Sequence, residues 1–169
     1  MPPADGRNLG GNKVKFYYTK APPSAITDKI KEDPPATPAG EIKKLTIPAN
    51  ELKGVDEPGE YGRDTESTTE QPYGNPSFNV LGSTTLTDVD VTYMPDMALP
   101  LDAQFAAQDS LGTQVLFIEE LTGNTPANKT YNVVLGNLGG VRRVANKNGA
   151  QRYRRRIVVS AIQMGIPGE

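Results

Sequence analysis

The C-terminal half of the chain contains a series of four segments, most of them apolar, that are separated from one another by turn signals, and this series sets the fold class. The segments are "TQVLFIEEL", "KTYNVVLG", "GVRRVAN" and "RYRRRIVVSAI", and the turn signals are "GNTPAN", "GNLGG" and "NKNG". Asn148-Gly149 favours a tight hairpin, because both residues tolerate the positive φ angles that such turns need. The pattern predicts an antiparallel β-meander.

A half-buried strand is predicted ahead of this meander. The segment "STTLTDVDVTYMP" alternates between polar side chains and apolar or threonine side chains, which is the two-residue period of a strand with one buried face. Val89 and Val91 are expected to face the core. Asp88 and Asp90 are expected to lie on the wet face.

One short helix is predicted between this strand and the meander. In "LPLDAQFAAQDS", Leu101 and Phe105 have i, i+4 spacing, with Ala106 beside them, and a proline lies in the first turn. These features are typical of an amphipathic helix, here from about 98 to 110. The two apolar side chains are interpreted as core anchors.

The N-terminal half differs in composition. Residues 1–40 hold seven of the fifteen prolines around one strand candidate, 13–19, and are interpreted as an arm outside the core. A second strand candidate, 41–47, precedes a polar, acidic segment from 49 to 77. Unstructured connections beyond about 12–15 residues are uncommon in compact domains, so we expect a functional loop that is mobile in a free monomer and ordered by neighbouring chains.

The predicted fold class is therefore mainly β. It consists of a two-sheet β-sandwich or partial barrel with one short flanking helix, a long loop and an N-terminal arm. The domain organisation is a proline-rich arm over residues 1–40 and a β-sandwich domain over residues 41–169, with the acidic loop at 49–77.

Missing residue types exclude most catalytic chemistry. The chain has no cysteine and no histidine, which removes disulfides, thiolate metal sites and the usual general base. No phosphate-binding glycine motif occurs. We expect a protein that is not an enzyme and has no cofactor. No run approaches about 20 apolar residues and the N-terminus lacks an apolar leader, so neither a membrane span nor an export signal is expected.

Charge is distributed unevenly along the chain. Seven basic and no acidic residues lie between 141 and 156, whereas seven acidic and two basic residues lie between 51 and 70. The net charge is −2 and the pI is about 5.3. The last strand is expected to leave the core at about Ile157, so that its arginine-rich first half projects into solvent or onto another chain.

Three interpretations of the basic hairpin are open: a solvated surface, a nucleic-acid site, and a docking surface for the acidic loop of a neighbouring copy. Arginine presents a planar fork that matches carboxylates, which favours the third for a protein that self-assembles. The predicted subunit-interface residues are the basic Arg142, Arg143, Arg152, Arg154 and Arg156 and the acidic Asp56, Glu57, Glu60, Asp64 and Glu66.

A cation site is an alternative for the aspartates. Asp88, Asp90 and Asp96 offer the oxygen ligands that hard cations prefer. The segment lacks the glycine-punctuated loop that wraps calcium, so a solvated strand face is favoured and no metal is predicted.

The order of these elements resembles phage tail tube proteins, also called major tail proteins, of long-tailed phages. The segments that carry the resemblance are "TLTDVDVTYMP", "LDAQFAAQDSLGT", "QVLFIEE" and "NVVLGNLGGVRRVANKNGAQRYRRRIVVSAIQMGIPG". They cover about the last 90 residues and include a strand that ends in tyrosine, a short helix over the sheet and a closing segment like Val159 to Pro167. The first 77 residues match only in having a long loop and an N-terminal arm.

The resemblance implies a homo-oligomer of hexameric rings that stack into the tail tube of a virion, a conduit for genome ejection assembled in the host cytoplasm. Its implied partners are other copies and other tail proteins, such as the tape measure, tail terminator and baseplate or distal tail proteins, with DNA only in transit and no membrane. An inner wall that lets DNA slide should not be basic. Asp88 and Asp90 are therefore predicted to face the lumen, and the arginines to lie elsewhere, at contacts between subunits or rings.

Two other classes are retained as alternatives. One is a monomeric or trimeric β-sandwich binding module, such as a capsid decoration or carbohydrate-binding domain, with the helix as a lid. The other is a nucleic-acid-binding β protein, which predicts DNA binding that weakens steeply with salt. Size in solution separates a tube protein from the first of these.

Overall fold

The structure is a computed structural model that describes residues 14–71, 73–74, 76, 78–94, 103, 105, 111–123, 129–144 and 152–168. The strands in these residues are β1 (Val14–Lys20), β2 (Glu51–Leu52), β3 (Val55–Glu57), β4 (Arg63–Glu70), β5 (Phe78–Leu86), β6 (Val89–Tyr93), β7 (Gln114–Thr122), β8 (Lys129–Val144) and β9 (Arg152–Pro167). The helices are α1 (Ser24–Ile30) and α2 (Ala39–Leu45), and a 3₁₀ turn spans Pro48–Asn50.

Seven strands form one sheet in the order β2-β1-β7-β8-β9-β6-β3, and β4 pairs with β5 in a second, two-stranded sheet. All pairings are antiparallel, and β7, β8 and β9 form the predicted meander. Only Lys53 and Gly54 join β2, at one end of the large sheet, to β3 at the other. The sheet therefore curves until its ends approach, and it stays open as a partial barrel. The predicted mainly β class with two sheets is confirmed.

The concave face of the large sheet holds the inner core. Its fully buried members include Val89 and Val91 of β6, as the alternation predicts, with Phe117 and Ile157 from β7 and β9. Phe105 packs into this core and lies in helical conformation. It is one of two described residues of the predicted helix 98–110; the rest of that helix, with Leu101 and Ala106, lies outside the described residues.

The convex face holds the outer core, which α1 and α2 cover. Ile26 and Ile30 of α1 and Ile42 of α2 are buried against Leu116, Ile118 and neighbouring side chains of the sheet. In α1 the two isoleucines have i, i+4 spacing, so both point to the sheet. Two ion pairs at i, i+3 spacing accompany the helices: Lys29 at the end of α1 pairs with Glu32 just beyond it, and Lys44 pairs with Glu41 within α2.

The described part of residues 1–47 contradicts two predictions. The strand predicted at 41–47 is wrong, since 39–45 is helix α2. The strand predicted at 13–19 exists as β1, but it pairs with β7 and buries Tyr17 and Tyr18. The described part of residues 1–40 therefore does not lie outside the core, while residues 1–13 lie outside the described residues.

The segment 49–77 is not an unstructured loop. It contains β2, β3 and β4, and the first two belong to the large sheet. The acidic stretch of this segment extends onto β4, whose eight residues are all exposed. The expectation that this segment is mobile in a free monomer and is ordered by neighbouring chains stays a prediction.

Two details of β8 and β9 also differ from expectation. The "GNLGG" turn is wrong, because these residues continue β8, where the register with β9 shifts between Leu138 and Val141. A further register shift in β9 pairs Leu135 with Ala161 and Gly136 with Val159. One extra residue bulges there, so Ala161 joins the outer core, although Val159 two residues before it packs against the inner core. The Asn148-Gly149 turn lies outside the described residues.

Candidate functional site

The pairing of β8 with β9 brings the arginines together at one end of these two neighbouring strands. Arg142 lies opposite Arg154, and Arg143 lies opposite Tyr153. Directly opposed residues of an antiparallel pair point to the same face of the sheet. Arg142, Arg154 and Arg156 thus share the convex face and are exposed, while Arg143 is exposed on the concave side.

A cleft of about 260 Å³ lies between these side chains, lined by Asp90, Gly140, Arg142, Arg154 and Arg156. We call it the arginine cleft. Arg156 binds Asp90 through two hydrogen bonds, from Nε to Oδ1 at 3.1 Å and from Nη2 to Oδ2 at 3.3 Å. These bonds raise the pKa of the Arg156 guanidinium above its ordinary value. Three arginines against one aspartate leave the cleft with an excess of positive charge.

The predicted lumen-facing residues lie on this same surface. Asp90 is part of the arginine cleft, and the Oδ1 atom of Asp88 accepts a hydrogen bond from the backbone N–H of Val159 at 3.2 Å. The expectation that these aspartates and the arginines occupy separate surfaces is therefore wrong. Register explains the contact, because Asp90 lies directly opposite Arg156 in the β6–β9 pair.

One predicted arginine–carboxylate pairing forms within a single chain. Arg152 Nε lies 2.8 Å from Asp56 Oδ2, and both side chains are partly exposed. Arg152 begins β9 and Asp56 lies in β3, the end strand of the large sheet. Because Arg152 pairs with Asp56 of its own chain, fewer arginines remain to bind a carboxylate of a neighbouring copy.

The other predicted acidic residues lie at and beyond β3. Glu57 ends β3 and Glu60 follows it. Asp64 and Glu66 are exposed on β4, where Asp64 Oδ2 accepts a hydrogen bond from the Thr87 hydroxyl at 2.8 Å. The structure therefore places Asp64 and Glu66 on a different sheet from the predicted basic partners.

Arg155 has a different environment from its neighbours, and sequence reasoning missed it. Its side chain is fully buried in the concave face, and its Nη1 donates to the Phe105 carbonyl at 3.4 Å. The prediction that β9 leaves the core before Ile157 is wrong, because β9 pairs with β6 and β8 from its first residues. Alternation within "RYRRRI" places Arg155 on the same face as Ile157, but it does not show that this arginine is buried.

A second cleft, of about 490 Å³, lies where the two ends of the large sheet approach. Its apolar wall includes Phe16, Leu52 and Val55, and Glu119 lies on the same cleft. Burial raises the pKa of the Glu119 carboxyl, and a hydrogen bond from Asn132 Nδ2 at 3.2 Å opposes that shift.

The alternative of a cation site at Asp88, Asp90 and Asp96 finds no support in the described part of the chain. No group of three or more metal-ligating side chains occurs there. Asp96 lies outside the described residues, Asp90 binds Arg156, and Asp88 binds the backbone of β9.

Comparison with known proteins identifies a similar fold. No protein-family model matches the sequence, and a search of curated proteins found no match. Among solved structures, the chain is similar to a component of the anti-feeding prophage (AFP) baseplate, determined by cryo-EM with six-fold symmetrisation. The TM-score is 0.60 over 95% of this chain and 97% of that chain, with 9% identity. The similarity shows that the two share a fold.

No helix among the described residues is both long and apolar enough to cross a membrane.

Proposed function

We propose that the chain is a structural protein of a phage tail-type assembly, whose copies form stacked hexameric rings around a tube that conducts DNA. The observation that carries this proposal is the shared fold with the AFP baseplate component over nearly the full length of both chains. A match over 95% of this chain and 97% of that chain favours a common architecture over a partial likeness between β-sandwiches. The six-fold symmetry of that baseplate agrees with hexameric rings.

The two-stranded sheet of β4 and β5 gives this proposal a physical basis. A two-stranded ribbon is marginally stable in water unless it packs against other structure. Leu86, at the end of β5, packs against the inner core. All eight residues of β4 are exposed, and Tyr73 in the β4–β5 connection is fully exposed. A ribbon of this kind gains support when it docks on another copy.

The arginine cleft is assigned to contacts between copies. Asp90 cannot line a DNA channel without bringing Arg154 and Arg156 to the same wall, because all three side chains belong to one cleft. Guanidinium groups on that wall would bind phosphates and retard the DNA. We therefore keep the interface role and give up the lumen role for Asp88 and Asp90.

The proposed setting is the tail of a virion, assembled in the cytoplasm of the host. The ends of a stacked tube need other tail proteins, and tape measure, terminator and baseplate or distal tail proteins are the proposed partners. The role is structural, with no enzymatic step and no cofactor.

Electron microscopy of the full-length chain tests this proposal. Protein purified at low concentration, then concentrated, should form rings or tubes in negative stain, with six-fold symmetry in end-on class averages. Sedimentation should show a concentration-dependent shift from monomer to large species. A chain that stays monomeric or forms a discrete trimer at every concentration would contradict the tube and favour a β-sandwich binding module.

A further inference from the structure

We propose that Asn132 sets the direction in which the β4–β5 ribbon leaves the large sheet, by holding Tyr61 in place at the base of the ribbon. Asn132 Nδ2 donates to the Tyr61 hydroxyl oxygen at 3.2 Å and to Glu119 Oε2 at 3.2 Å. We call these three side chains the ribbon anchor. All of its contacts lie within one chain, so the anchor stands or falls separately from the proposed assembly.

A bulge between β8 and β9 fixes the orientation of the Asn132 amide. Asn132 lies at a register shift, where one residue of β8 faces two residues of β9. Its Oδ1 atom accepts a hydrogen bond from the backbone N–H of Gly165 in β9 at 2.9 Å. Because the amide oxygen is directed to β9, the two amide N–H groups point to Glu119 and Tyr61. The carbonyl and the amino group of this side chain therefore join β9, β7 and the segment that leads into the ribbon.

Tyr61 is the point at which that segment is held. It lies two residues before β4, and its ring packs against the inner core. Gly62 follows with a φ angle of 156°, a conformation that glycine adopts more readily than other residues. The chain can therefore turn at Gly62 while Tyr61 stays on the sheet.

The ribbon depends on contacts at its base for its direction. All eight residues of β4 are exposed, so this strand buries little side-chain surface that could fix the ribbon. At the base, the backbone N–H of Thr87 donates to the Gly62 carbonyl at 3.3 Å, and Leu86 packs against the inner core. The ribbon thus joins the sheet at Tyr61 on the way out and at Leu86 on the way back, and loss of the first contact lets it rotate about the second.

Distances between two spin labels test the anchor in the full-length chain. The chain has no cysteine, so Thr68→Cys on the ribbon and Leu111→Cys before β7 can be labelled specifically, and both positions are exposed. The labelled chain is diluted with unlabelled parent, so that pulsed electron paramagnetic resonance measures distances within one chain. Tyr61→Phe and Asn132→Ala should broaden the distance distribution. The population outside the main peak of the parent should rise roughly two- to tenfold, which is the change expected from loss of one net hydrogen bond.

Tyr153→Phe is the matched control. Tyr153 is a second tyrosine that is partly buried against the inner core, and it lies at the other end of the chain's last strand from Gly165. Its loss of a hydroxyl should leave the distribution unchanged. Two substitutions test the part played by Glu119. Glu119→Gln keeps an oxygen that can accept from Asn132 and should behave like the parent, whereas Glu119→Ala removes it and should broaden the distribution.

The outcomes separate the anchor from a general loss of structure. Broadening by Tyr61→Phe and Asn132→Ala, without broadening by Tyr153→Phe, supports the anchor whether or not the chain forms rings. A distribution that neither substitution changes overturns the proposal, and so does equal broadening by Tyr153→Phe. Equal effects of Glu119→Gln and Glu119→Ala contradict the part assigned to Glu119. Thermal melting checks that each variant is folded, and Tyr61→Phe, which removes one oxygen and keeps the ring, still tests the proposal if Asn132→Ala is unfolded.

Discussion

Replacement of Phe105 by alanine is expected to lower the free energy of unfolding by about 4 kcal/mol, because the side chain is fully buried and anchors its segment to the inner core. The rings of Tyr18 and Tyr93 each lie edge-on to Phe105, with centroids 4.9 Å away. Buried phenylalanine-to-alanine changes cost about 3–5 kcal/mol, and loss of two aromatic pairs places this one in the upper half of that range. The hydrogen bonds from Tyr93 and Arg155 use the Phe105 carbonyl, so the substitution leaves both acceptor and donors in place.

Urea unfolding followed by circular dichroism measures this loss. For a chain of this length, about 4 kcal/mol corresponds to a fall in Tm of roughly 8–16 °C. Leu111→Ala is the control, because Leu111 is 64% exposed and its truncation should change stability by less than about 0.5 kcal/mol. A Phe105→Ala protein within about 1 kcal/mol of the parent would refute the assignment of Phe105 to the core.

Three further predictions test other parts of the structure. Burial raises the pKa of Tyr18 to about 12, above the ordinary tyrosine value near 10. The protonated Tyr18 hydroxyl therefore stabilises the folded state fully below about pH 10, and this contribution to the free energy of unfolding should be lost as the pH rises from about 10 to 12. Urea midpoints that stay constant over this interval would show that Tyr18 is solvated. Gly136→Ala should lower the free energy of unfolding by about 1–3 kcal/mol, because a Cβ there would collide with β9. Gly140→Ala is the control and should be neutral, because no atom lies within 4 Å of the added Cβ. Equal unfolding midpoints for the two variants would contradict the close approach of β9 to Gly136. Asp90→Asn removes a carboxylate from an exposed pair with Arg156 and should cost under about 1 kcal/mol; a larger loss in thermal melts would mean that this pair is a structural element of the monomer.

The meander could be predicted because its signals are local. Alternation within "VDVTY" and the apolar run "VLFIEEL" correspond to β6 and β7 as the structure has them. The helices were harder to predict, because a seven-residue helix carries only two or three apolar residues. Ile26 and Ile30 of α1 had the i, i+4 spacing that could have identified it, whereas the run containing Ile42 suits either a strand or a helix until its burial against the sheet is known.

The arginine cleft shows what a sequence pattern leaves open. The charge density and the pairing of β8 with β9 follow from the printed residues, and Arg142, Arg154 and Arg156 do lie together. The contact with Asp90 depends on β6 pairing with β9, across more than sixty residues of chain, and alternation alone could not specify that register. Burial of Arg155 depends on a carbonyl 50 residues away, against the usual exposure of arginine.

The two faces of the large sheet restrict where copies of this chain can meet. Along the strands β8 and β9, the convex face is covered by α1 and α2 at one end, around Val133 and Ala161, and carries the arginine cleft at the other. The concave face is filled by the inner core. Among the described residues many large apolar side chains of this sheet are buried within the monomer, while Val158, Met164 and Tyr73 are exposed. Charged side chains, the β4–β5 ribbon and these exposed apolar side chains are left for association. Exposed charge pairs contribute only about 0.2–1 kcal/mol each, so a single contact of this kind would be weak. The proposed closed ring would be more stable, because every copy in it makes the same contact twice. Assembly driven in this way should be sensitive to salt and to concentration, and a tube that formed equally well in high salt would require apolar contacts from outside the cleft and the ribbon.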